Sequence, residues 1–170
     1  MATMSDMSKS YGNLQREVFR KTVYRIWNMM QAGLLDEMDE AESRIARILL
    51  DHPEYEEILE DTEILDGREF DAGEAGNPFL HISFHKMVED QLESGRPAEV
   101  LSFLESMRAK GFDRHEIIHV IMKILIRFIS DAMTHQKSLD VNRYRRLLKS
   151  CRTIGLDEVP DALAREFTSH

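Results

Sequence analysis

Two pairs of histidines, each four residues apart, are the part of this sequence most able to do chemistry. His81 and His85 lie in LHISFH, and His115 and His119 lie in DRHEIIH. On a helix, i,i+4 spacing stacks two side chains on one face with Cβ atoms about 5–6 Å apart. Both imidazoles of such a pair can reach one ion at about 2.0–2.1 Å from each nitrogen. The second pair also completes an H-E-x-x-H string, His115-Glu116-Ile117-Ile118-His119, which on a metalloprotease helix supplies two ligands and a general base. That string is short and recurs in unrelated helices, so the two pairs together carry the metal reading.

Spacing residues about 100° apart sets His81 and His85 beside Val88 and Leu92. It sets His115 and His119 beside Met122 and Ile126. Each pair faces or borders a core. An unpaired buried polar group costs roughly 1–3 kcal/mol, and one divalent ion satisfies several imidazoles at once. Two carboxylates join the candidates: Glu89, four residues after His85, and Glu116, inside the second pair. Either could ligate, orient an imidazole, bridge two ions or act as a base. Glu116 has a competing, purely structural task as the fourth member of a capping box that Asp113 opens. His52, in DHPEY, sits where a helix should end and reads as a cap of the last carbonyls, with a fifth ligand as the alternative. His135 and His170 carry no argument.

The elements that position these residues are helical throughout. Apolar positions at Phe19, Val23, Ile26, Trp27 and Met30 predict a helix over Leu14–Ala32, stopped by Gly33; Met1–Asn13 reads as a flexible tail. Arg16, Arg20 and Arg25 lie off that stripe and form a basic face that could hold a protein partner. A second helix is predicted over Asp36–Asp51, with Met38, Ala41, Ile45, Ile48 and Leu49 inward. Pro53 ends it, and a short acidic helix follows near Glu54–Leu59. Asp61–Gly76 reads as the main loop. Asn77 before Pro78 is a strong helix start, giving a helix to Ser94 that Gly95 closes. Pro97 opens the next, with Val100, Leu101, Leu104 and Met107 inward and Gly111 at its end. The Asp113 helix runs to about Ala132, an Asp140 helix to Cys151, and a last one starts near Pro160. No alternating strand pattern appears. The expectation is an all-α fold, one compact bundle of about six to eight helices, with 14–170 as a single helical domain.

Composition sets the class. The 170 residues are 42% hydrophobic and 31% charged with a formal net charge of −9, which suits a globular chain and argues against nucleic acid as a partner. One cysteine, Cys151, forbids an internal disulfide and fits a reducing compartment. The most apolar run, Ile117–Ile129, is broken by His119, Lys123 and Arg127 and is too short and charged to span a bilayer. No signal peptide is evident at the start. A cytoplasmic protein with no membrane association is expected.

Three strings, HPEY at His52–Tyr55, NPFLHISFH followed by a glutamate at Asn77–Glu89, and DRHEIIH at Asp113–His119, resemble a bacterial family catalogued as domain of unknown function 1841. The resemblance covers about Ile45–His135. It implies a compact cytoplasmic helical protein and no particular activity.

The functions these residues allow fall into three groups. The first is binding of a divalent transition metal through His81, His85, His115 and His119, with Glu89 and Glu116 as further ligands or supports, in a structural, storage or sensing role. Zinc is the first expectation and iron the second, since imidazole suits both. The second is a metal-dependent hydrolase or di-metal oxidoreductase using Glu116 as base or ligand. A peptidase fits poorly, because no third histidine follows His119 within the next turns and the third ligand would have to be His81 or His85. The third is a metal-free interaction module working through the basic face of the first helix.

Overall fold

The computed structural model describes residues 4–60 and 77–168, with side chains from residue 15 onward. Among the described residues there are eight α-helices and no strand: α1 (Met4–Gln31), α2 (Glu40–Leu50), α3 (Glu56–Glu60), α4 (Pro78–Ser94), α5 (Ala98–Ala109), α6 (Arg114–Thr134), α7 (Val141–Cys151) and α8 (Val159–Thr168). The fold is all-α, as the helical spacing of the apolar residues requires. The loop expected at Asp61–Gly76 lies outside the described residues.

The helices group into two compact units, Met1–Ser83 and Phe84–His170. Nothing in the sequence marks this division of the helical chain, because it falls inside the continuous helix α4 and not at a linker.

In the first unit, α1 and α2 meet through Val23, Ile26 and Trp27 on one side and Ile45, Ile48 and Leu49 on the other, with Tyr55, Leu59, Phe79 and Ile82 completing the core. Val23, Ile26 and Trp27 of the stripe expected on α1 are buried, with Tyr24 added, while Phe19 and Met30 are half-buried against the same core. The Tyr24 ring lies 5.8 Å from Phe79 and its hydroxyl donates to the Ile58 carbonyl at 3.4 Å. Ala41, expected inward, is exposed; Ala46 is buried in its stead. Two boundaries also shift. α1 starts at Met4, where a tail was expected, since a polar helix gives no apolar stripe to read. α2 starts after Asp39, because Leu35–Glu37 forms a separate 3₁₀ turn. Asp39 and Glu42 make both bonds of a capping box, satisfying two of the donors that a helix start leaves open.

In the second unit, α6 is the central element. Ile117, Ile118, Ile121, Ile124, Leu125 and Phe128 are buried along it and pack with Phe103 and Met107 of α5 and Tyr144 and Leu148 of α7. Phe103, 0% exposed, takes the inward position that spacing had suggested for Leu101. Burying a large apolar side chain contributes about 1.5–3 kcal/mol, and α6 alone supplies seven, Met122 included. The chain reverses before α6 at Gly111. There, φ of +92° lets the Gly111 and Phe112 N–H groups donate to the Arg108 and Met107 carbonyls, a Schellman closure open to glycine at little cost.

Candidate metal centre

Within the second unit, α4 and α6 bring three imidazoles together. α6 is started by Asp113, whose carboxylate accepts the His115 N–H at 2.8 Å and the Glu116 N–H at 3.4 Å. Those two bonds hold the Asp113 carboxyl below its usual range. The start of α6 thus fixes where His115 sits, and one turn later comes His119, the two ring centroids 4.1 Å apart. From α4, His85 enters with no exposed surface at all. Its ring centroid is 5.4 Å from that of His115 and 5.6 Å from that of His119. One ring nitrogen from each of the three lies within 4.8 Å of the others.

A carboxylate sits behind His85. Glu89, one turn on along α4, has an oxygen 4.0 Å from His85 Nδ1, too far for a hydrogen bond. Both its oxygens are held instead by Arg114, at 2.8 Å from Nη1 and 2.7 Å from Nη2. This two-pronged pair ties α4 to the first turn of α6 beside the histidines. Arg114 was not among the residues the sequence singled out. Its signal was present, since a guanidinium next to the H-E-x-x-H string is a fork that fits a carboxylate.

Glu116 does not join the group. Its side chain is exposed, because its direction lies about 100° around α6 from the inward-facing His115. Nor is the capping box reciprocal: among the described residues, Asp113 caps the helix and Glu116 returns no bond.

His81, expected as the fourth member of the set, is engaged in the first unit. Its Nε2 lies 2.8 Å from Nε2 of His52, and the two rings meet edge to face at 4.6 Å. His52 is 1% exposed, stacks on Tyr55, and has its Nδ1 2.6 Å from the Ile48 carbonyl. The expected cap at the end of α2 is thus present. It also settles a proton, since a carbonyl only accepts and neutral His52 must carry its hydrogen on Nδ1. Its Nε2 then accepts, and His81 Nε2 donates to it.

Other reactive groups are quiet. Burial pushes the Cys151 thiol up, away from the thiolate form that does chemistry. On α1, Arg20 lies over the Phe79 ring at 5.3 Å and Arg25 pairs with Glu42, so two of the three arginines of the expected basic face have partners within the chain. Among the described residues, no helix is long and apolar enough to cross a membrane.

No curated protein and no solved structure is found to match the chain. One family model does match, described as domain of unknown function (DUF1841), over residues 15–150. The match extends past the Ile45–His135 stretch that carries the three shared strings and takes in most of α1 and nearly all of α7. With that much of its length covered, and both histidine pairs inside the covered part, the chain belongs to the DUF1841 family.

Proposed function

We propose that this protein binds one divalent transition-metal ion at His85, His115 and His119, and that the ion fastens α4 to α6 in a structural, storage or sensing role. The observation that carries this reading is the convergence of three ring nitrogens to within 4.8 Å. Two nitrogens on a tetrahedral ion at about 2.0–2.1 Å lie about 3.3 Å apart. Small side-chain rotations therefore close the triad around an ion, with no movement of the helices demanded. Three imidazoles leave a fourth position for another donor. Zinc is the favoured ion and iron the next, because neutral imidazole serves both. Glu89, gripped by Arg114 beside His85, supports the ligand from behind rather than ligating.

A hydrolytic role finds less support. It needs a base within hydrogen-bond reach of a metal-bound water, and the one base the H-E-x-x-H string offers, Glu116, is exposed and outside the group of ligand nitrogens.

The test is metal content of protein purified without a histidine tag, by mass spectrometry, beside His85→Ala and His115→Ala. Near-stoichiometric metal lost in both variants is the expected result. Absence of metal, with no uptake of added zinc, iron or manganese, overturns the reading.

A further inference from the structure

A groove between α6 and α8 in the second unit, lined by no histidine, has a cavity of about 350 Å³, within the roughly 300–1,000 Å³ of small-molecule sites. Its walls are apolar: Ile124 and Val120 from α6, Leu163 and Phe167 from α8. The space exists because α8 presents Pro160 and Ala164 at the groove, where a larger side chain would fill it. The Phe167 wall is held in place. Its ring packs on Phe128 at 4.9 Å and lies beneath Arg143 at 4.5 Å, and Arg143 in turn bonds the Glu166 carboxylate at 2.5 Å.

The polar part of this groove has one sign. Lys123 and Arg127, four apart on α6, both line it, and no carboxylate does. Among the described residues, neither forms an ion pair; Arg127 lies over the Phe167 ring at 4.7 Å. In a chain with a formal net charge of −9, two cations at an apolar slot are a local reversal of sign. An apolar slot fits a hydrocarbon tail, and two neighbouring cations fit an anionic head that stays at the surface.

We propose that the α6–α8 groove binds a free medium-chain carboxylate, its tail against Val120, Leu163 and Phe167 and its carboxylate on Lys123 and Arg127. None of the three histidines lines the groove, so binding there does not call on any metal they hold.

Decanoate is the probe, titrated into the full chain by calorimetry, with 1-decanol and acetate as controls. The expected result is saturable binding of one decanoate, with acetate inert and decanol at least 10-fold weaker. Lys123→Gln and Arg127→Gln should each weaken decanoate at least threefold, and Ala164→Trp, which fills an exposed part of the groove and leaves the buried core intact, should abolish binding. Equal affinity for decanol, unchanged affinity in both charge variants, or no saturable binding to a chain with native helical content overturns the proposal. Binding that survives Ala164→Trp places the ligand elsewhere and overturns it too.

Discussion

The two groups of histidines use the same parts to different ends. In the first unit, His52 and His81 form a pair in which His52 has a partner on each side of its ring: the Ile48 carbonyl at one nitrogen and the second imidazole at the other. That is a hydrogen-bonded chain, with its tautomer fixed by a carbonyl that cannot donate. In the second unit, three rings on two helices turn nitrogens toward one another. A row of imidazoles joined donor to acceptor is complete in itself, whereas converging acceptors favour a cation between them. In the first unit both nitrogens of His52 have partners, and in the second three nitrogens from two helices converge.

The sharpest way to break this comparison is at the ligands. His85→Ala, His115→Ala and His119→Ala should each weaken metal binding by more than about 100-fold, beyond the roughly 10–100-fold that loss of a supporting residue costs, while His81→Ala retains the ion. Equilibrium dialysis against zinc reads this directly, and metal lost in His81→Ala would restore the four-histidine set. Next comes His52→Ala, which strips the partner from the Ile48 carbonyl and from His81. It should cost about 1–3 kcal/mol of stability, by the same amount in chelated and metal-loaded protein. A larger loss with metal present would erase the distinction between the groups.

A third test concerns support. Glu89→Gln and Arg114→Gln should each lower zinc affinity about 10-fold without changing its stoichiometry. Unaltered affinity in both would show the pair to be only a tie between helices. The smallest effect is expected from acid. The Asp113 carboxyl is held low by the His115 and Glu116 N–H groups, so its contribution is present above the ordinary carboxylate value of about 4. It fades as pH falls through its own, lower value. In metal-free protein, urea midpoints between pH 5 and pH 2.5 should fall less steeply in Asp113→Asn than in the parent chain.

What the sequence discloses divides along physical lines. Helix ends were legible because they are local. Asn77 accepts the Leu80 N–H at 3.0 Å and Asp140 the Arg143 N–H at 2.9 Å, while Gly33, Gly95 and Gly111 all take positive φ. Inward faces were legible from spacing, which is why His85, His115 and His119 stood out. Which inward residues meet was not legible. Periodicity places His81 and His85 on one face of α4, but only tertiary packing sets His81 against His52. Glu116 shows the same limit from the other side, since a motif names residue types and the helix geometry decides which of them face solvent.

The complete burial of His85 bears on time as well as affinity. In the proposed site His85, with no solvent-facing surface, can break or remake its own bond to an ion only when the side chains around it part. Removal of metal by excess chelator should therefore reach a plateau rate that no longer rises with chelator concentration. That plateau would measure how often this part of the second unit opens, making the ion a clock for a local motion of the fold.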